Sequence, residues 1–119
     1  MRTHIHWTGL GQTDRGASVA MGNFDGLHLG HQAVIVQAAT AGRPLGVVTF
    51  EPHPRQFFAP AAPAFRLMNA EARAHRLEKL GVDQLYELPF DGRLAGMEAS
   101  EFVTTVLVDG LGVSHVTVG

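Results

Sequence analysis

The chain has 119 residues, an apolar fraction of 45% and a formal net charge of −2, which suits one domain with a buried core. No basic block is present to neutralise phosphates, which argues against nucleic acid or an anionic membrane as partner. Cysteine is absent, which excludes disulfides, thiolate nucleophiles and zinc–thiolate sites. No apolar run approaches the ~20 residues of a membrane-crossing helix, and the polar, aromatic start does not read as a secretory signal. A cytoplasmic location is expected.

The first 17 residues are mixed, with turn residues Gly9, Gly11, Asp14 and Gly16, and suggest one short edge strand over 3–7. Ser18–Met21 reads as the first strand of the main sheet, and residues 28–41 as a helix closed by Gly42. Residues 45–50 form a continuous apolar run, as expected of a parallel strand covered on both faces. Pro52, Pro54, Pro60 and Pro63 crowd residues 51–68 and argue against a regular helix or central strand there. A loop of that length in a compact domain is usually functional. Asn69 looks like the N-cap of a second helix, with Ala70, Ala74, Leu77 and Leu80 at helical spacing and Gly81 as its stop. Residues 84–88 read as a strand, and 114–118 as the last one. Between them, Ala99, Phe102, Val103, Val106 and Leu107 form a stripe that predicts a third helix over 98–108. The alternation predicts an α/β fold, a parallel sheet in three layers. Ligands bind such sheets outside the carboxyl ends of the strands. A loop beyond Gly119, after the last strand, is therefore expected to line the site.

The stretch Gly22-Asn23-Phe24-Asp25-Gly26-Leu27-His28-Leu29-Gly30-His31 joins the first strand to the first helix. His28 and His31 are three apart at a helix start, where unpaired N–H groups and the positive end of the helix favour anions. The glycines permit tight turning and close approach of backbone to ligand. Both imidazoles can donate hydrogen bonds to phosphate oxygens. Charge builds on those oxygens when the α-phosphorus of a nucleoside triphosphate is attacked, and such a transfer needs no protein nucleophile. A zinc site on His28 and His31 would lack a matching third ligand. Phe50, Phe57 and Phe58 flank a loop stiffened by proline and offer flat apolar surface. His53 is expected to be structural, and Glu51 a solvated or capping carboxylate. Arg66 is expected to be solvated, as are Arg73, His75, Arg76 and Lys79 on the wet face of the second helix. His4, His6 and His115 have no ligand-like spacing.

Residues 22–31 as written above, Thr49-Phe50-Glu51-Pro52-His53-Pro54-Arg55, Leu80-Gly81-Val82-Asp83, Leu88-Pro89-Phe90-Asp91, and the run from Gly112 to Gly119 resemble the bacterial bifunctional riboflavin kinase/FAD synthetases. The likeness is to their N-terminal FMN adenylyltransferase module, from about Trp7 onward. It implies a Rossmann-like nucleotidyltransferase fold and transfer of AMP from ATP to FMN, giving FAD and pyrophosphate with Mg²⁺. It further implies catalytic roles for His28 and His31, and nucleotide contacts from Gly22, Asn23, Phe24, Asp25 and Gly30. Phe50, Pro52, Pro54 and Phe58 fall where the family contacts flavin. No protein metal ligand is implied. The family continues past the equivalent of Gly119 and carries a separate riboflavin kinase barrel. Residues 1–119 are thus expected to be the N-terminal part of the adenylyltransferase domain, without the kinase domain and with a tendency to self-associate. Two other readings are a non-catalytic nucleotide- or flavin-binding module, and a His-x-Gly-His nucleotidyltransferase with a different acceptor.

Overall fold

The computed structural model describes residues 1–40, 42–61 and 68–118. Arg66 lies outside them. Five parallel strands form one sheet: β1 (Arg2–His4), β2 (Ser18–Met21), β3 (Leu45–Glu51), β4 (Gln84–Pro89) and β5 (His115–Val118), in the order β1-β4-β3-β2-β5. The register sets Ala20 beside Val47 and Thr117, and Val47 beside Leu85. The helices are α1 (Leu29–Ala38), α2 (Pro54–Phe58), α3 (Ala70–Lys79), α4 (Gly92–Ala95) and α5 (Ala99–Glu101), the last running on into a π-helix, Phe102–Leu111.

Alternate strand residues face opposite sides, so apolar side chains on both parities require cover on both faces. Ala20, Val47 and Leu85 pack with Phe24, Leu27, Ile35, Ala38, Leu77 and Val82 beneath α1 and α3. Val19, Val48, Tyr86 and Leu88 pack on the other side with Trp7, Leu94, Val106, Leu107 and Leu111. This is the expected three-layer α/β architecture. Gly110 lies against Trp7 so closely that a Cβ there would stand 2.7 Å from the Trp7 carbonyl oxygen. Gly110→Ala is therefore expected to cost ~1–3 kcal/mol, read as a lower urea midpoint at unchanged slope.

Several local expectations needed correction. The first strand is shorter and earlier than residues 3–7, ending at His4. The first helix ends at Ala38, not near Gly42: Ala39 takes an extended backbone with ψ 115°, and the Ser18 hydroxyl donates to the Ala38 carbonyl at 2.6 Å; Gly42 instead adopts φ +81° in the following turn. The proline-rich segment does contain a helix, α2. Pro54 occupies its first turn, where the missing N–H costs nothing, and His53 caps it by accepting from the Arg55 N–H. Asp91 caps α4, an element the sequence reading passed over, by accepting from Leu94. In the third predicted helix, Ala99 and Val103 are exposed, and the buried set is Val106, Leu107, Gly110 and Leu111. Val106 and Leu107 of the expected stripe thus face the core, with Phe102 packed against it, while the wider π winding turns Val103 outward and brings Gly110 and Leu111 inward. The second helix closes as expected. Asn69 accepts from Ala72, Gly81 takes φ +91°, and the Val82 and Gly81 N–H groups return to Leu77 and Glu78, a Schellman ending.

Candidate active site

β2 is flanked by β3 on one side and β5 on the other, so the connections reverse direction there. Such a switch point opens a crevice at the strands' carboxyl ends. The turn that follows β2 fills it. Gly22 donates to the Val48 carbonyl, which keeps the turn tight against β3. Phe24 and Leu27 hold φ +51° and +46°, a left-handed conformation costly for side chains of this size. Both side chains are buried at 2% and 1% exposure, and their burial in the core beneath α1 holds the strained backbone. Gly26, at φ +82°, completes the turn where any side chain would be strained.

His28 is the N-cap of α1, with no side-chain capping bond, so its exposed ring is available to a ligand. The His28 and His31 rings stack at 3.7 Å, and Phe24 meets His31 edge-on at 5.5 Å. Burial lowers the His31 pKa below its ordinary 6.5, the neighbouring His28 lowers it further, and Asp25 opposes both. The buried Nδ1 of His31 and Oδ1 of Asn23 have no partner among the described residues, a cost that a bound polar group or water would relieve. Asp25 accepts from the Met68 N–H at 3.0 Å and ties the turn to the approach of α3.

Gly22, Asn23, Phe24, Asp25, His31 and His53 line one pocket of about 380 Å³, within the range of small-molecule sites. A hollow of about 450 Å³ at the start of α3 shares none of these residues. The structure thus brings His31 together with four of the five residues expected to touch nucleotide. Gly30 lies on the first turn of α1, where a Cβ would meet the His28 ring at 3.4 Å.

Phe50 lies near the end of β3, Pro52 in the link that follows, and Pro54 and Phe58 on α2. Phe90 is the hub of an aromatic cluster there, edge-on to Phe50, Phe57 and Phe58 at 5.8, 5.5 and 5.9 Å. Phe58 is 68% exposed, whereas Phe50 packs against the core and Phe102.

Two expectations fail here. Arg73 is not on a wet face: it is 1% exposed. Glu51 is not simply solvated or capping, since it pairs with Arg73 at 2.9 Å. The charged run on α3 reads as solvated from helical spacing alone, because its carboxylate partners lie on strands far away in sequence. Phe90 was legible as part of a motif, but nothing local marked it as an aromatic hub.

A family model described as FAD synthetase matches residues 10–119. A bifunctional riboflavin kinase/FMN adenylyltransferase of Pseudomonas fluorescens is 46% identical over 109 residues, covering 88% of this chain and 35% of that protein. The Escherichia coli (strain K12) protein of the same name is 35% identical over 108 residues, covering 87% and 34%. A solved Streptococcus pneumoniae chain, named as a macrolide-efflux protein, matches with a TM-score of 0.74 and 28% identity, covering 98% of this chain and 48% of that one. Among the described residues no helix is long and apolar enough to cross a membrane. The chain spans about a third of the length of the curated relatives it matches. Its α/β architecture, the glycine turn with its paired histidines and the match over residues 10–119 agree: the chain belongs to the FAD synthetase family.

Proposed function

We propose that this chain supplies the nucleotide site for transfer of AMP from ATP to FMN, the adenylyltransferase half of the two activities its relatives' names join. The observation that carries this reading is the pocket in which His31 and the strained glycine turn meet at the N-terminus of α1. An FMN phosphate oxygen attacks the α-phosphorus of ATP, the bond to the bridging α–β oxygen breaks, and pyrophosphate leaves. His28 and His31 donate to the phosphate oxygens on which charge grows. Gly22, Asn23, Phe24 and Asp25 shape the nucleotide's seat, and Gly30 keeps the first turn of α1 open to phosphate. Phe58, with Phe50, Pro52 and Pro54, offers a surface for the isoalloxazine ring; this aromatic cluster favours a flavin over another phosphate acceptor.

Mg²⁺ fits as a companion of the triphosphate. Among the described residues no three His, Cys, Asp or Glu side chains gather as a metal site, and Mg²⁺ is commonly held by substrate phosphates with one or two carboxylates. Asp25, which lines the pocket, is the carboxylate placed to assist.

The proposal extends to a cytoplasmic protein without nucleic-acid or membrane partners, in keeping with the net charge of −2. It includes self-association, supported by Val118 on edge strand β5 and by Leu29 and Val36 on α1, which are 65%, 81% and 71% exposed. Light scattering tests that part, a monomer at all concentrations contradicting it. For the reaction, the gene product carrying these residues is incubated with FMN, α-labelled ATP and Mg²⁺. Label in FAD with release of pyrophosphate is expected; no transfer, or transfer to another acceptor in preference to FMN, overturns the reading.

The lowered His31 pKa has two consequences of known sign. The unfolded chain binds more protons than the folded one below pH 6.5, so this residue makes stability fall as pH drops through that value. A bound triphosphate favours the imidazolium and raises the pKa again. ATP binding is therefore expected to take up protons below the ordinary imidazole value of 6.5, seen as a dependence of calorimetric heat on buffer ionisation enthalpy that His31→Ala reduces.

A further inference from the structure

The mechanism leaves unused the most deeply buried charge among the described residues. Arg73 sits on α3 at 1% exposure. Its Nη1 donates to the Asn23 carbonyl at 3.1 Å; its Nη2 donates to Glu51 at 2.9 Å and approaches Glu87 at 3.4 Å. Those partners belong to three different parts of the site. Asn23 is in the glycine turn, Glu51 ends β3 immediately before the His53 loop, and Glu87 is on β4. Asn23 and His53 both line the pocket, on opposite sides of the β2–β3 boundary.

Taking a guanidinium out of water carries a desolvation cost that excellent geometry only partly offsets. Packing alone would be served as well by an apolar side chain. The two terminal nitrogens, however, diverge: one reaches the turn after β2 and the other the carboxylate at the start of the loop after β3. The Nε is buried without a partner among the described residues, and the contacts seen are made by those two ends. The Thr49 hydroxyl approaches the same Asn23 carbonyl at 3.4 Å, which leaves the charge-assisted Arg73 bond as the shorter anchor.

We propose that Arg73 is a positioning residue that clamps the glycine turn at Asn23 to the His53 loop at Glu51 and so fixes the separation of the pocket's two walls. It touches no ligand. A wall shifted by an ångström misplaces donors aimed at a phosphate. The clamp would act before ligand arrives, as preorganisation. It rests on the proposed function only in taking the pocket's ligand to be a nucleotide.

The test separates positioning from packing. In Arg73→Met/Glu51→Met/Glu87→Met these three charges are replaced together, so none of the three is left buried and unpaired, and apolar replacement of a buried ion triad is commonly tolerated. The expected result is a melting temperature near that of the parent, shifted or broadened ligand-free backbone amides at residues 22–26, which are remote in sequence from all three substitutions, and at least a 10-fold weaker MgATP affinity by calorimetry. A triple variant that melts like the parent and keeps the parent's amide positions at residues 22–26 overturns the clamp. If the triple variant does not fold, the matched pair Glu51→Met and Glu87→Met decides. Each removes one carboxylate from the same arginine, but only Glu51 leads into the pocket loop. Amides at 22–26, remote in sequence from both substitutions, that move in the Glu51 variant alone support the clamp, and equal movement in both overturns it. The amide readout needs no ligand. A parent that fails to bind MgATP would therefore contradict the proposed function, while the clamp would still be decided by the amides.

Discussion

His28→Ala and His31→Ala are each expected to lower the rate of adenylyl transfer by about 10²–10³-fold, the scale for losing one hydrogen-bond donor aimed at developing charge. The two rings stack at 3.7 Å, so under the proposed function they would address neighbouring oxygens of one anion, and the double variant should fall short of the product of the single effects. Stability separates the two. His28 is exposed and makes no capping bond, so its loss should leave the melting temperature unchanged. His31 gives up its edge contact with Phe24, worth ~0.5–1.5 kcal/mol. Steady-state rates with FMN and ATP, measured beside thermal melts, check both. A His28 variant that loses activity only in proportion to folded fraction would place the ring outside the chemistry.

The largest stability effect should come from Phe24. Its ring is 2% exposed, packs in the core beneath α1 and α3, and supports His31. Phe24→Ala should cost ~3–5 kcal/mol, a drop of roughly 10–20 °C in melting temperature. The backbone adds a second, opposite contribution. At φ +51° an L-residue is strained by ~1–2 kcal/mol and glycine is not. Phe24→Gly removes the same ring and relieves that strain. It should therefore be less destabilising than Phe24→Ala, by ~1 kcal/mol. Urea unfolding of the pair measures the difference directly. Equal midpoints would mean that the turn is not strained in solution.

The parallel three-layer sheet was readable because its signals are local. Apolar runs such as Val47-Val48 mark strands covered on both faces, and Asn69 with Gly81 brackets α3 at both ends. The glycine turn was equally legible, since its histidines and glycines sit within ten residues. Non-local consequences were not readable. Helical spacing places Arg73 with His75, Arg76 and Lys79, yet the fold points it inward toward Glu51 and Glu87, which are 22 and 14 residues away. The π winding after α5 changes which residues of the third helix are buried, and no composition signal announces it. His53 was read as structural and does cap α2, but the same cap brings it to the pocket wall. One residue there serves the backbone and the cavity together.

In the proposed function the turn after β2 and the N-terminus of α1 form a nucleotide site. MgATP titration into the ¹⁵N-labelled chain, followed by its backbone amides, tests this most directly. Saturable shifts centred on residues 22–31 and His53, at millimolar ligand or below, are the predicted result. Unchanged amides in that segment, or shifts confined to the hollow beside Asn69 and His75, would contradict it.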